Sequence, residues 1–281
     1  MSVVELREDN IDEYLTWIDD DNAEDMSRAY YRGIACHDDE SDEFLAALIW
    51  QLRSVESTDD TEAELEWFYC VEPEHLNLAL KEYKKRAKLD DVTRTYFENT
   101  ELNDEMCKIL KKRGFKLTEV ESREVRVSVR ELSELSFVGK KIPKYVQSIG
   151  SILESEFNQG MARIMFKKNV GALEDMCYLP KEWYDQNVSC CVKTDGKVNG
   201  FLLVHTYPSG IITPVLFYAT GPDYKYNLAY MLRFSIQAAI AHYRESTTVL
   251  IRRRTDETKN LFKKLFPKKI GEMAVAGERT E

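Results

Sequence analysis

One short pattern occurs twice in this chain, once in each half. In the first half, the run Phe68–Pro73 (FYCVEP) precedes the triplet Asn77–Ala79 (NLA). In the second half, Phe217–Pro222 (FYATGP) precedes Asn227–Ala229, which is again NLA. Each copy ends an apolar, strand-like run, turns at a proline and enters a helix-like segment. The repeat predicts two copies of one domain, each with a strand-to-helix junction of the kind that commonly binds phosphate-bearing ligands.

Length and composition fit two globular domains. The 281 residues suffice for two domains of about 140 residues each. The chain is 43% apolar and 31% charged, which is ordinary for a globular protein. No run reaches the length of about 18 apolar residues that a membrane helix needs, and the first residues do not resemble a signal peptide. We therefore expect a cytoplasmic protein with neither a membrane nor a nucleic acid as its partner.

The cysteines and histidines do not predict a metal site. Most of the six cysteines lie in apolar runs and none forms a CxxC pair, a pattern typical of small buried thiols in a reducing compartment. The four histidines are scattered without the spacing of metal ligands. We expect no metal in this protein.

The charge is divided unevenly between the two halves. Residues 1–133 hold 34 Asp and Glu against 18 Lys and Arg, a formal charge of −16, whereas residues 134–281 hold 15 against 21, a charge of +6. Both halves could simply present solvated surfaces that attract each other. Alternatively, the second half suits a polyanion and the first half suits a cationic ligand. The sequence leaves both interpretations open.

The hydrophobic pattern predicts the same order of elements in both halves. In the first half we expect strands at 44–51, 64–71 and 92–97, helices at 73–88 and 102–113, and a closing strand at 124–129. In the second half we expect helical segments within 142–168, strands at 188–192, 198–207, 211–219 and 247–252, helices at 227–243 and 256–266, and a final strand at 270–276. The weakly patterned stretch 132–144 predicts a division into domains 1–133 and 134–281.

This order of elements resembles the GCN5-related N-acetyltransferase (GNAT) family. The resemblance rests on the aromatic end of the fourth strand in each half, on the prolines Pro73 and Pro222, and on the spacing of a helix in the first half. That helix has Asn103, Met106, Ile109 and Gly114-Phe115 at the family's "Asn…Ala…Leu-Tyr…Gly-Phe" positions. The resemblance implies an α/β fold with mixed sheets, arranged as two tandem GNAT-like acyl-CoA N-acyltransferase domains. It also implies transfer of an acetyl group from acetyl-CoA to a primary amine of a small molecule or a protein.

Both copies depart from the family's acetyl-CoA signature, Arg/Gln-x-x-Gly-x-Gly/Ala. The first copy has no basic residue and no glycine there, and its Glu74 would repel phosphate. The second copy has Lys225 where the family's arginine often lies, without the signature glycines. The family's helix tyrosine, a general acid for the departing thiolate, corresponds to Leu110 in the first half and Phe262 in the second. The resemblance therefore favours the second half as the half that binds the co-substrate.

The resemblance implies two sets of site residues. The predicted co-substrate residues are Phe217, Tyr218, Ala219, Lys225, Asn227, Leu228 and Ala229. The predicted catalytic residues are Glu66, as a general base on the fourth strand, and Tyr224, as a hydroxyl near the co-substrate. Simpler roles stay open, namely a turn lysine, a helix cap, an exposed strand glutamate and a packing tyrosine.

Two functions remain possible at this level. One is an N-acetyltransferase. The other is a non-catalytic GNAT-shaped binding or scaffold protein, because a fold does not by itself fix a function. The acceptor, the active half and the oligomeric state stay open.

Overall fold

The computed structural model describes residues 2–55, 60–165 and 179–281. Cys177 and the part of the predicted helical stretch beyond residue 165 lie outside these residues. The chain forms two compact units. Unit 1 consists of Met1–Ser122 together with Gly271–Glu281, and unit 2 consists of Arg123–Ile270. Within the described residues, no helix has the length and the apolar composition needed to cross a membrane.

Unit 1 is built on a mixed sheet. Its strands are Ser2–Leu6 (β1), Tyr31–His37 (β2), Phe44–Val55 (β3), Asp60–Cys70 (β4), Val92–Asn99 (β5), Lys116–Glu121 (β6) and Met273–Thr280 (β13). They are arranged in the order β1-β2-β3-β4-β5-β13-β6, with β4 and β5 parallel. Its helices are Asp20–Asp25 (α1), Pro73–Leu89 (α2) and Asp104–Lys112 (α3), and a 3-10 turn covers Ile11–Tyr14.

Each face of the unit 1 sheet carries its own core. On one face, α2 packs its apolar stripe of Leu76, Leu80 and Tyr83 against strand residues such as Leu48 and Leu65. The opposite face is covered by the segment that contains the 3-10 turn and α1. That segment buries Ile11, Tyr14, Ile18 and Met26 against Ala35, Ala47 and Ile49. The alternation of side chains along β2 and β3 supplies both cores, because successive strand residues point to opposite faces.

Unit 2 repeats this plan with a second mixed sheet. Its strands are Glu124–Ser128 (β7), Val146–Ser148 (β8), Cys190–Thr194 (β9), Lys197–Thr206 (β10), Ile212–Ala219 (β11) and Thr248–Arg252 (β12). Their order is β7-β12-β11-β10-β9-β8, and β11 is parallel to β12. The helices are Val129–Ser133 (α4), Glu154–Met165 (α5), Tyr224–His242 (α6) and Asp256–Leu265 (α7). Helices α4, α6 and α7 contribute to the core on one face, and α5 contributes to the core on the other.

One strand of each unit comes from the far side of the predicted domain boundary. The strand predicted to close the first half, β7, instead pairs with β12 in unit 2. The strand predicted to end the second half, β13, instead lies between β5 and β6 in unit 1. The units therefore divide at Ser122 and Ile270 rather than at the predicted 133/134. The sequence pattern did not predict this, because strand periodicity indicates which residues form a strand but not which sheet the strand joins.

The hairpin between β9 and β10 turns at Thr194-Asp195-Gly196. The positive φ angles of 51° at Asp195 and 71° at Gly196 match the tight turn that an Asp-Gly pair favours. The helical prediction for 142–168 is wrong at its start, where β8 pairs with β9 at the sheet edge. Pro143 and Gly150 interrupt the helical pattern, so α5 begins only at Glu154.

Candidate functional site

In each unit two neighbouring parallel strands separate, which opens the middle of the sheet. Strands β4 and β5 pair from Thr61 to Leu65, and within the described residues no part of β4 beyond Leu65 pairs with β5. Strands β11 and β12 pair only at Ile212 and Val249. The repeated FY pairs lie on the separated parts of β4 and β11. The helix that follows each strand, α2 or α6, begins at the open end.

The N-terminus of α2 is closed by side chains of unit 1 itself. The Glu72 carboxylate accepts a hydrogen bond from the His75 backbone N–H, and the His75 Nδ1 lies 3.3 Å from the Glu72 backbone N. Pro73 takes the first helical position and has no N–H to offer. Glu74 adds a second carboxylate in the first turn. An anion at this end would therefore meet two negative charges in place of free backbone donors.

The N-terminus of α6 has the opposite character. Its cap residue, Asp223, makes no side-chain capping bond, and the first turn contains no acidic residue. The preceding Gly221 has a φ of 93°, a conformation that side-chain-bearing residues rarely adopt. The Tyr224 N–H donates to the Gly221 carbonyl at 3.3 Å, which forms a turn just before the helix. A helix start without a side-chain cap, at the positive end of the helix dipole, suits an anionic group.

Gly221 and the missing cap are the features that the sequence analysis overlooked. The family signature has its glycines at fixed positions after the fourth strand. The glycine that shapes this loop, Gly221, comes earlier, directly before Pro222. The signal in the sequence was the Gly-Pro pair itself, which marks a turn.

The predicted co-substrate residues of unit 2 lie along one continuous stretch, but they do not face one way. Phe217 packs toward the core that contains α6, whereas Tyr218 packs toward the opposite face with α5. Ala219 is buried against the first of these cores. Because these side chains alternate between the two faces of the sheet, the continuous lining of the opening along β11 consists of backbone groups.

The predicted residues on α6 divide in the same way. Lys225 is exposed, and its Nζ lies 5.8 Å from the centroid of the Tyr224 ring. Asn227 is buried, Leu228 packs against the core, and Ala229 is exposed. Lys225 is therefore the member of this set whose side chain is free to meet an anionic ligand.

Glu66, the predicted general base, belongs to a half-buried charged cluster in unit 1. Its carboxylate lies 3.6 Å from the Arg53 guanidinium, which also contacts Glu64 at 2.7 Å. Burial lowers the pKa of Arg53, but the charges of Glu64 and Glu66 outweigh it and raise that pKa above its ordinary value. The two carboxylates thus keep Arg53 charged. The alternation in the sequence predicted that Glu64 and Glu66 lie on one strand, but it did not predict their shared contact with Arg53 on β3.

Tyr224, the other predicted catalytic residue, lies in the first turn of α6 and is 42% exposed. The positions that correspond to the family's tyrosine do not reach solvent. Leu110 on α3 and Phe262 on α7 are both fully buried in the cores of their units. Neither side chain carries a group that can donate a proton.

A polar network at the closed end of the unit 2 opening was not foreseen from the sequence. The Tyr243 hydroxyl donates to the Asp185 carboxylate at 2.5 Å and lies 2.7 Å from the Thr206 hydroxyl. Burial and the Asp185 carboxylate raise the pKa of Tyr243 to about 12. Thr206 faces Ile212, where β11 and β12 still pair. The network thus ties the end of α6 to the sheet where the two strands are still joined.

No metal site accompanies these groups. Across the three described ranges of the chain, no cluster of three or more histidine, cysteine or acidic side chains could hold a metal ion. What the geometry offers is an opened strand pair beside an uncapped helix in unit 2, and the same opening beside a capped helix in unit 1.

The architecture has clear counterparts among solved structures, although the sequence has none. No family model matches the chain, and no curated protein matches its sequence. A tandem GNAT protein from the clavulanic acid biosynthesis pathway is similar over 99% of this chain and 98% of its own, with a TM-score of 0.64 at 10% identity. FemX is similar over 100% and 98%, with a TM-score of 0.55 at 12% identity.

A third counterpart is N-myristoyltransferase from Saccharomyces cerevisiae, solved with bound myristoyl-CoA. It is similar over 99% of this chain and 79% of its own, with a TM-score of 0.55 at 13% identity. At these identities the likeness concerns the fold. The chain has the fold of tandem GNAT proteins, with two GNAT-like units of mixed α/β structure.

Proposed function

We propose that the protein is an N-acyltransferase whose unit 2 binds an acyl-CoA, with acetyl-CoA as the expected co-substrate. The observation that carries this proposal is the difference between the two helix N-termini. That of α6 has no acidic residue in its first turn, its cap residue Asp223 makes no capping hydrogen bond, and Lys225 stands in the first turn. That of α2 is filled by its own Glu72 and His75. A pyrophosphate gains from free amides, a helix dipole and a nearby cation together.

The separated strands supply a route for the thioester. Beyond Ile212, β11 has no partner on β12 within the described residues, so its backbone N–H and C=O groups on that side can bind an extended ligand. Gly221 leaves the approach to α6 open, because no heavy atom lies within 4 Å of the position where its Cβ would stand. These features fit an acyl-CoA without requiring any change in the unit.

The reaction would join a neutral primary amine to the thioester carbonyl carbon. The new C–N bond forms as the C–S bond breaks, CoA leaves as a thiolate, and the amine proton passes to water or to a nearby base. Tyr224 is our candidate for a hydroxyl beside the thiolate, because it shares the first turn of α6 with Lys225. Glu66 is the candidate base only for a reaction in unit 1, where the Arg53 guanidinium contacts its carboxylate. The acceptor is a small-molecule or protein amine.

A specific observation also favours the second candidate function, a non-catalytic binding or scaffold protein. Leu110 and Phe262 are both buried and lack a hydroxyl. General-acid help to a leaving group contributes about 10²–10⁴-fold. We therefore expect slow turnover, below about 1 s⁻¹, with any amine acceptor.

Calorimetric titration with acetyl-CoA and with CoA tests the site. We expect saturable binding to the full chain, and we expect Lys225→Ala to weaken it at least about tenfold, since one charge-assisted contact to phosphate is worth about 1.5–3 kcal/mol. Lys84→Ala is the matched control, because Lys84 is an exposed lysine on α2. Equal affinity in wild type and Lys225→Ala would place the site elsewhere, and no saturable binding would leave the non-catalytic function.

Acetyl-CoA consumption then separates the two functions. The amine panel contains polyamines, aminoglycosides and peptides with free N-termini. Turnover that falls in Tyr224→Phe but not in Glu66→Gln would support catalysis in unit 2. Turnover that falls only in Glu66→Gln would move the chemistry to unit 1. Binding without turnover would favour a protein that kept the fold and lost the reaction.

A further inference from the structure

Unit 1 carries a row of aromatic rings that the proposed function does not use. We call the rings of Trp17, Phe44, Trp67 and Tyr69 the aromatic platform. Trp17 stacks on Phe44 with ring centroids 4.2 Å apart and planes 13° apart. Tyr69 lies 6.2 Å from both Phe44 and Trp67, with planes 28° and 11° apart. Near-parallel rings at this separation are offset from one another, so together they cover an area of surface.

The fold explains why these four rings meet. Trp67 and Tyr69 are two residues apart on β4 and therefore point to the same face of the sheet. Phe44 begins the neighbouring strand β3, and Trp17 follows the 3-10 turn that covers this face. The platform lies on the part of β4 that has separated from β5. It thus adjoins the opening of unit 1, on the face away from α2.

The platform is not simply a piece of core. Tyr69 is 40% exposed, and Trp17 and Trp67 are only half-buried, whereas Phe44 beneath them is buried. Adjacent aromatic surfaces left in contact with water commonly mark a binding site. Of these rings, Tyr69 and the two tryptophans present area to a ligand, and Phe44 supports them.

The segment of chain that carries part of the platform is strongly acidic. Residues 9–43, which contain Trp17 and lead into Phe44, hold 13 Asp and Glu but only 2 Arg and no Lys. Two of these carboxylates act directly on Tyr14, which contacts both Trp17 and Phe44 at ring distances of 6.5 and 6.3 Å. Burial raises the pKa of the Tyr14 hydroxyl, and the charges of Glu13 and Asp42 raise it further.

His37 holds the turn that carries Asp42, whose side chain is 92% exposed. The His37 ring lies 3.2 Å from the Tyr14 hydroxyl through Nε2 and 3.1 Å from the Asp42 carbonyl through Nδ1. The same Nδ1 lies 3.8 Å from the Asp42 carboxylate. His37 thereby links the turn that carries Asp42 to the residues under the platform.

We propose that the aromatic platform of unit 1 binds a small organic compound through an alkylammonium group. The faces of aromatic rings attract cations, and carboxylates at the rim add long-range attraction for the same charge. A neutral apolar ligand would gain only from the rings, and an anion would be repelled by the rim. The formal charge of unit 1, with 35 acidic against 16 basic residues in 1–122 and 271–281, favours the same class of ligand. The proposal does not depend on acyl-CoA or on unit 2.

The test uses a pair of isosteric probes and the protein's own tryptophans. Choline carries a trimethylammonium group, and 3,3-dimethylbutan-1-ol is its neutral counterpart of the same shape. The indole N–H signals of the four tryptophans are followed by NMR in the full chain without any CoA. We expect choline to shift the signals of Trp17 and Trp67 saturably and to leave Trp50 and Trp183 unchanged. We expect the neutral alcohol to bind about threefold to thirtyfold more weakly.

Two variants separate the rings from the charge. Tyr69→Leu removes a ring, and Asp42→Asn removes a carboxylate while keeping a residue that tolerates its φ of 58°. We expect each to weaken choline binding at least about threefold. The control is Glu119→Gln, an exposed carboxylate on β6 at the far edge of the same sheet, which should bind choline as the wild type does.

Four results would overturn the proposal. The first three are equal affinity for choline and the alcohol, shifts confined to Trp50 or Trp183, and no saturable binding of choline at all. A wild-type affinity in both Tyr69→Leu and Asp42→Asn would do the same. Thermal unfolding of each variant is measured first, and if Tyr69→Leu is unfolded, the exposed Asp42→Asn variant still decides the question.

Discussion

Units 1 and 2 share a fold but differ at the N-terminus of the helix that follows the fourth strand. In unit 1 the start of α2 is closed by Glu72, His75 and Pro73. In unit 2 the start of α6 follows a turn at Gly221 and has no side-chain cap. The fold places a helix dipole at the end of the fourth strand in both copies, so a few loop residues decide whether side chains of the protein cap that helix.

The two units also differ in charge and in how their chain is assembled. Counted over the units as folded, unit 1 has a formal charge of −19, and unit 2, with 14 acidic and 23 basic residues, has +9. Unit 2 is one continuous stretch, whereas unit 1 needs a strand from beyond unit 2. The comparison suggests a self-contained basic unit suited to anions and an acidic unit that is completed by a remote segment.

The largest expected effect comes from removing that segment. In residues 1–270, unit 1 lacks β13, which pairs with six residues of β5 on one side and six of β6 on the other. Loss of an internal strand should exceed the roughly 5–15 kcal/mol that stabilises a typical domain, so unit 1 should unfold. Residues 123–270 alone should keep a complete sheet. Circular dichroism and amide NMR spectra of the two fragments check both expectations.

The fragment experiment can also refute the comparison. A folded unit 1 in residues 1–270 would mean that another segment replaces β13. An unfolded fragment 123–270 would mean that unit 2 is not self-contained. The indole N–H NMR signals of Trp17, Trp50 and Trp67 report on unit 1, and that of Trp183 reports on unit 2.

A smaller effect is expected where β13 crosses Phe97. A Cβ at Gly277 would overlap the Phe97 ring and approach the Leu117 side chain to 2.9 Å. We expect Gly277→Ala to lower the free energy of unfolding of unit 1 by about 1–3 kcal/mol, as overpacking commonly does. Gly139→Ala in unit 2 is the control, because nothing lies within 4 Å of its added Cβ. Urea denaturation measures both, and an unchanged Gly277→Ala midpoint would contradict the close contact.

The smallest effect concerns the ion pair that joins the two ends of unit 2. Lys269 donates to Glu131 at 2.6 Å, and Glu131 also caps α4 by accepting from the Ser128 N–H. Burial would raise the pKa of Glu131, but these bonds lower it below its ordinary value. A lowered pKa in the fold stabilises the protein above the unfolded value, near 4.3, and that stability is lost as the pH falls through the folded value.

We therefore expect Glu131→Gln to destabilise the fragment 123–270 at neutral pH and not at low pH. Because 38% of the carboxylate side chain is exposed, solvent screening limits the effect to about 1 kcal/mol or less. Glu134→Gln, which removes a more exposed carboxylate from the same region, should change stability less. Thermal melts at pH 7 and near pH 3 compare the variants, and a Glu131→Gln deficit that persists at pH 3 would disprove the assigned charge.

Much of the fold could be predicted from the sequence because the two copies share a local pattern. The separated strand, the turn and the following helix are encoded by adjacent residues, so the FY and NLA runs located β4, α2, β11 and α6. The hydrophobic pattern of 44–51 and 198–207 likewise predicted strands, which are β3 and β10. These are short-range signals, and short-range periodicity is what a single sequence reports best.

Long-range pairing was the part that could not be predicted. Nothing in the composition of β7 or β13 indicates which sheet it joins, since the backbone groups that pair strands are the same in every residue but proline. The contacts within the candidate site could not be predicted for the same reason. Glu64 and Glu66 were visible on β4, but their partner Arg53 lies on the neighbouring strand. The aromatic platform unites residues from three separate elements, and only the folded chain brings them together.

The position of β13 also bears on the order in which the protein is made. On the ribosome, every residue of unit 2 is synthesised before the strand that completes unit 1. Arg94 on β5, for example, can bond to Glu278 only after a further 184 residues have been added. The second unit in the sequence can therefore fold first, while β5 and β6 of the earlier unit remain unpaired edges. Such edges are open to wrong partners. Slow release of the last residues, or a bulky fusion placed after them, would prolong that exposed interval for unit 1 alone.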